Sequence, residues 1–579
     1  MKNVLSPAWR PAVWISTAAV LASCGSWDLA PQIVTRDLPR YPETSELDYD
    51  PLPCMAHAAC PLANDAGDLT AGAGRVWLKG SAALRRASVP GRTEPVVLDP
   101  PYYTAVVEAP PGKAIVEFSG EGGARRSVEV VVPDPRELNE TGEDFSIVFF
   151  GDLQPFALDE GEVYINPGDG TDRPGRKEGK FAALEEIRKV LSRVCEGTVE
   201  GMLRPSLIVG HGDQIYVEGA YEGYSSYGHT HPMAAWTMEF QPKPRVSPEA
   251  FPGFLEACYA RTWSLTTMDA ALRNVPSVMV WDDHDIRDGW GSQGDEHIYR
   301  ESYFRSARDA YIAHQILRGP RRIGKDLESL DRSLHQSFRI KGLPVFVLDE
   351  RNNRDVSVPA VLGEEQWKAL RAWFQGLDPA RSKHYVLVSS VPIFYRVAER
   401  ANIAASFSDE IRDDLLDTWT SKPNEPEWRE LVREIVKAWE RGLRAIVVSG
   451  DYHMSSICRV TAEDAEKTGR PVVAYEIITS GLAAEAYGGW KQKMGREGLF
   501  IDDPIEIEGH ELECEFGQND TLPNFGGIEF RRGEVEVSIF KAETDGCTQY
   551  KVPLRWEGEL EELEDLPGRN ERRIEVKGR

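Results

Sequence analysis

Hydrophobic positions follow two different rhythms along this chain. From about 65 to 135 they form short extended runs: Arg75–Leu78, Tyr103–Val107, Ala114–Phe118 and Ser127–Val132. Pro110-Pro111-Gly112 and Gly120-Glu121-Gly122-Gly123 punctuate them, the pattern of a small β-sandwich. The second glycine cluster is no phosphate loop, because it lacks the Lys-Ser/Thr ending and leads into a strand. From about 143 to 553 apolar β-branched runs recur at Phe145–Phe150, Ser206–Val209, Ser277–Trp281, Val345–Leu348, Tyr385–Val388 and Ala445–Val448. Between most of them lie helix-like stretches. Phe181–Cys195 carries apolar residues at 181, 184, 187, 190, 191 and 194, and Glu364–Phe374 and Glu427–Trp439 are similar. Buried strands separated by helices predict an α/β fold with a largely parallel core sheet.

The two ends read differently. Lys2 and Arg10 precede a short apolar stretch from Pro11 to Ala22, too short to span a bilayer. It closes on Leu21-Ala22-Ser23-Cys24-Gly25, which resembles the bacterial lipobox, so Cys24 is the expected lipidation site. The expected organisation is a lipoprotein signal peptide over 1–23, a Pro/Asp/Ala-rich tether over 24–64 and the β-sandwich over 65–140. A catalytic domain over 143–553 and a charged, solvated tail over 554–579 complete it. An exported protein held at the cell envelope of a bacterium by an N-terminal lipid anchor is the expectation, with the membrane as a partner.

Composition narrows the chemistry only slightly. Hydrophobic residues make up 41% and charged residues 28% of the 579, which excludes a disordered or fibrous chain. Lys and Arg number 67 against 93 Asp and Glu, a net charge of −26, so no nucleic-acid partner is expected. Eight cysteines are too few for a disulfide scaffold. Cys54 and Cys60 are the candidate pair, and Cys195, Cys258, Cys458, Cys514 and Cys547 have no assignable partners. No C-x-x-C pair or Gly-x-Ser-x-Gly elbow occurs, which removes zinc-ribbon, dithiol and serine-triad chemistry.

The informative residues follow the apolar runs. The first ends in Gly151-Asp152-Leu153-Gln154 and the second in Gly210-His211-Gly212-Asp213-Gln214-Ile215-Tyr216. The later ones end in Trp281-Asp282-Asp283-His284-Asp285, Asp349-Glu350-Arg351 and Ser449-Gly450-Asp451-Tyr452-His453. Ligands of open α/β sheets bind at the carboxyl ends of the strands. Carboxylates aimed at one rim repel each other unless a cation holds them, so this set predicts metal. A glycine before Asp152, Asp213 and Asp451 suits a sharp turn off each strand.

With Leu348-Asp349-x-Arg351-x-x-Arg354 and Leu362-Gly363-x-x-Gln366-Trp367 added, the set resembles the calcineurin-like metallophosphoesterases. The closer resemblance is to their phosphatase D (alkaline phosphatase D-like) branch, over about 410 residues. It implies a core of β-sheets flanked by helices and hydrolysis of phosphate mono- or diesters by in-line attack of a metal-bridging hydroxide. Carried onto this chain, Asp213 bridges two metal ions and also takes a catalytic role. Asp152, Gln154, Tyr216 and His453 complete one ion's shell, and Asp283 and Asp451 hold the other. His284 donates a proton to the leaving oxygen or hydrogen-bonds it. Arg351 and Arg354 either clamp the phosphate or form structural ion pairs.

Oxygen ligands dominate, with Gln154 where relatives often have His and Asp451 in place of His. Hard-ligand logic favours Ca²⁺, Mn²⁺ or Mg²⁺ over Zn²⁺. Tyr216 is the site for Fe³⁺ if any is bound, although no strand end supplies the cysteine that iron-containing relatives use. The alternative reading is a catalytically degenerate surface protein that binds metal or a phosphorylated polymer without turnover. The acid His284 and the bridge Asp213 favour the enzyme.

Overall fold

All six apolar runs of the 143–553 segment become strands, and they divide between two sheets. Apart from single positions at 71, 143, 265, 359 and 521, the computed structural model describes residues 54–153, 187–218, 235–236, 242–324, 329–395, 416–462, 469–482, 504–543, 546–557, 563 and 571–574. The expected leader with Cys24 lies outside the described residues, as does Gln154. Among the described residues no helix is long and apolar enough to cross a membrane.

The first sheet has ten strands. At its centre Asp144–Phe150, Leu207–His211, Ser277–Val280 and Met55–Ala59 run parallel in that order. The second has eight strands, with Leu343–Val347, His384–Val388, Arg444–Ser449 and Val472–Thr479 parallel at its centre. Every flanking pair in both sheets is antiparallel. The expected largely parallel sheet is therefore two mixed sheets. The hairpins Asn524–Arg531, Glu534–Glu543 and Gly546–Pro553 close one flank.

Side-chain alternation shows how the layers stack. In His384–Val388, Val386 and Val388 join the core that also holds Ile147, Phe149 and Val209 of the first sheet. Tyr385 and Leu387 point the other way, onto Trp367, Leu370 and Phe374 of helix Gly363–Gly376 and Leu431 and Ile435 of helix Glu425–Glu440. Covered on both faces, these strands read as unbroken apolar runs.

Three expectations about the ends need correcting. Part of the tether is a core strand: Met55–Ala59 is fully buried and pairs along its length with Gly74–Lys79. Its His57 stacks on Trp77 at 5.2 Å and lies 3.0 Å from Asp269. Small Ala residues carry little hydrophobic signal, which hid the strand. Cys54 and Cys60 sit at opposite ends of it and are free thiols. Six extended residue steps separate them by about 20 Å, beyond the roughly 7 Å a disulfide can bridge. Nor is the tail wholly solvated, since Leu554, Trp556 and Leu563 are buried and Glu571–Ile574 pairs with Gly546–Pro553.

Over the segment read as a β-sandwich, a four-stranded sheet packs on Met55–Ala59, Gly74–Lys79 and Thr104–Ala109. Those three strands also belong to the ten-stranded sheet, so this layer is continuous with the main core. Lys79 and Glu256 form a buried ion pair at 2.7 Å that ties it to helix Phe251–Ser264.

Candidate metal centre

Because the central strands of each sheet run parallel, their carboxyl ends share one rim. The first sheet brings Asp152, Asp213, Asp282, Asp283 and His284 there, and the second brings Arg351, Ser390, Asp451 and His453. Three groups of ligand atoms form, each within 4.8 Å: Asp152, Asp213 and His453; Asp213, Asp283 and His284; Asp282, Asp283 and Asp451. Asp213 and Asp283 each belong to two groups, so the three make a continuous row.

The loops hold their ligands in an uncommon backbone conformation. Asp152, Asp213, Asp451 and His453 have φ of +59°, +48°, +68° and +47°. Asp tolerates this left-handed region better than most residues, and such strain collects at functional sites. The expectation that the preceding glycines make the turns needs refinement. Gly151 and Gly450 leave room for the buried His211 ring instead, since a Cβ on them would lie 2.9 Å and 2.6 Å from His211 Nδ1. Burial lowers His211 to about 4, so it is a neutral spacer between the two turns. Gly450→Ala is expected to cost about 1–3 kcal/mol of stability by overpacking, read as a lower urea midpoint at unchanged slope.

Tyr216 ties the first group together. Its hydroxyl lies 3.0 Å from Asp213 Oδ2, 3.3 Å from Asp152 Oδ1 and 3.0 Å from His453 Nε2. Burial, with Asp213 and Asp152 beside it, raises the phenol well above its ordinary range, so without a cation it stays protonated and donates. Asp152 Oδ2 accepts from the Gly481 amide at 3.1 Å.

His284 stacks on Tyr216 with ring centroids 4.2 Å apart, and its Nδ1 lies 3.0 Å from Glu218 Oε2. Burial favours the neutral ring, but the carboxylates of Asp283, Asp213 and Glu218 outweigh it and hold His284 well above the ordinary histidine value. Asp285, in the same motif, faces away from the ligand groups. It accepts from the Gln214 and Asp282 amides, Tyr259 and Gln315 at 2.8–3.1 Å, bracing two of the ligand loops.

The reading of Arg351 as a phosphate clamp does not survive. Arg351 has no exposed surface, and its five N–H donors meet protein acceptors. Nε meets Asp282, Nη1 the Trp290 carbonyl at 3.1 Å, Nη2 Asp283 at 3.4 Å, and Asp417 takes one bond from each terminal nitrogen at 2.5 and 2.6 Å. Arg354 is buried too, with Nε 3.3 Å from Asp417 and Nη2 donating to the Asp417 carbonyl, but its Nη1 has no hydrogen-bond partner, so it is paired less completely. No donor of Arg351 is left for a substrate.

The residues fit a metal on one direct observation. Asp213 Oδ1 and Asp282 Oδ2 are buried carboxylate oxygens with no hydrogen-bond partner. Burial, followed by neighbouring carboxylates, pushes Asp451 well above its ordinary range, and burial lifts Asp282 to about 6 against the pull of Arg351. Unpaired buried carboxylates are costly, and a bound cation removes that cost.

Comparison with known proteins gives the family. The family model described as PhoD-like phosphatase matches residues 190–503, more than half of the chain. The chain belongs to the PhoD-like phosphatase family. The solved structure of PhoD superposes with a TM-score of 0.53 at 14% identity over 94% of each chain, a likeness of fold. A purple acid phosphatase from yellow lupin (Lupinus luteus) seeds matches with a TM-score of 0.43 and 9% identity, over 84% of this chain and 72% of that one. The uncharacterized protein YGR266W of Saccharomyces cerevisiae is 23% identical over 246 residues, 33% of this chain and 34% of its own length.

Sequence reasoning missed several residues of this PhoD-like site. Asp282 adjoins Asp283 in one motif, and nothing local says that both belong to a ligand group. Glu218 was legible as a carboxylate five residues after Asp213 in the same loop. Ser390, whose hydroxyl donates to Asp282 at 2.7 Å, and Asp417 carry no local signal.

Proposed function

We propose that the chain hydrolyses phosphate mono- or diesters at this row of carboxylates with two divalent cations bound. Asp152, Tyr216 and His453, with Gln154 two residues after Asp152 in the sequence, would hold one ion, and Asp282, Asp283 and Asp451 the other, with Asp213 between them. The unpartnered oxygens of Asp213 and Asp282 carry this reading, because they are the atoms that lack a positive partner. Bound there, the cations would supply charge for the phosphoryl oxygens and an activated water. The protein's own part is to exclude solvent, hold the carboxylates together at one rim and present a proton at His284. Glu218 keeps that ring in place through Nδ1. A carboxylate-backed acid has a use in breaking an ester bond and none in merely holding a polymer.

Oxygen donors outnumber nitrogen donors, which favours Ca²⁺, Mn²⁺ or Mg²⁺ over Zn²⁺. The test strips the purified protein with a chelator, reloads it with each ion and assays it on 4-nitrophenyl and bis(4-nitrophenyl) phosphate. Turnover should vanish on stripping and return with Ca²⁺ or Mn²⁺ better than with Zn²⁺. A stripped protein that still turns over either ester would sink the proposal.

A further inference from the structure

Arg351 leaves a question behind it: why a fully buried guanidinium stands against the ligand row if it touches no substrate. Its contacts divide into two sides. On the inner side Nε meets Asp282 and Nη2 lies 3.4 Å from Asp283, both members of the second ligand group. On the outer side Asp417 takes the paired bonds from both terminal nitrogens, and Asp417 belongs to none of the ligand groups. Each inner carboxylate is also held elsewhere. Asp282 Oδ1 accepts from Ser390 at 2.7 Å, and Asp283 Oδ2 accepts from the Gly289 amide at 2.7 Å.

This arrangement leaves one particular oxygen of the second ligand group unpaired. With Oδ1 of Asp282 occupied by Arg351 and Ser390, its Oδ2 is the oxygen left without a partner. The planar guanidinium spans Asp282, Asp283 and Asp417 together, and a single ammonium, with three donors on one atom, does not reproduce that fork. Removing Asp417 would leave two of the five donors unmet and free the plane to rotate.

We propose that Arg351 and Asp417 are positioning residues for the second ion: Arg351 aims Asp282 and Asp283, and Asp417 fixes the plane of Arg351. The inference rests on the two-ion reading above and adds a dependence that the ligands alone do not contain. Asp417 comes from the segment just before helix Glu425–Glu440, so the metal site is completed by a part of the chain remote from the strand ends. Partners that stand behind metal ligands typically contribute 10–100-fold to metal affinity.

The test uses the full chain with Mn²⁺ as the probe, followed by titration calorimetry and electron paramagnetic resonance. Two Mn²⁺ ions bridged by one carboxylate give an exchange-coupled spectrum, whereas a single bound ion gives six lines. Asp417→Asn keeps an oxygen acceptor but removes the charge and one of the paired bonds. It should weaken one Mn²⁺ site by about 10–100-fold, with the other site unchanged, and show six lines at concentrations where the wild type is coupled. Arg351→Lys keeps the buried positive charge and should do the same, which decides the matter if Asp417→Asn does not fold. A folded variant with two sites of wild-type affinity and a coupled spectrum would overturn the proposal, and so would equal loss at both sites. Wild-type protein that binds no pair of Mn²⁺ ions would instead overturn the two-ion reading itself.

Discussion

Asp213→Asn is expected to lose bound metal and metal-dependent turnover together. Asp213 is shared by two ligand groups, and its Oδ1 is buried without a partner. Asn tolerates the left-handed φ of +48° at this position about as well as Asp does, and the Leu153 amide still bonds the residue's carbonyl at 2.8 Å. The turn should therefore persist, and the change reports on charge. Removing one preorganised charge from a reaction centre costs about 10²–10³-fold, and a shared ligand should cost at least that. Elemental analysis beside an ester assay makes the measurement. A variant that keeps two ions per chain would show that Asp213 is not the bridge.

The second large effect belongs to His284. Its replacement by Ala should lower turnover of alkyl phosphate esters by about 10²–10⁴-fold, the usual worth of general acid help. On 4-nitrophenyl esters the loss should be far smaller, because that leaving group departs without a proton. His284 also lies within ligand distance of Asp213 and Asp283, so the metal content decides between its two roles. A proton donor leaves both ions in place when removed. Loss of an ion, or an equal loss of rate on both ester types, would move His284 into the ligand set.

Much of this site is legible in the residues themselves. Apolar β-branched runs marked every central strand that carries a ligand loop, and Asp, His and Tyr at their carboxyl ends marked the rim. That inference works because burial on both faces of a strand and the placement of ligands at strand ends are local regularities. Met55–Ala59 escaped it because alanines bury without announcing themselves, and the C-terminal hairpins because their role depends on which sheet edge they close.

The residue types and their order along the chain were determined by the sequence alone, and with them the expectation of a cation, since carboxylates brought to one rim repel. Tertiary structure decided which oxygens remain unpaired and which cations already have partners. Arg351 reads equally as a phosphate clamp or an ion pair until Asp282, Asp283 and Asp417 are seen to take all but one of its donors, and the Trp290 carbonyl the last. The pairing of Glu218 with His284 and of Asp417 with Arg351 likewise cannot be read beforehand, the partners being 66 residues apart in each case. A side chain's charge is written in its own residue, but what neutralises that charge depends on contacts between segments far apart in the chain.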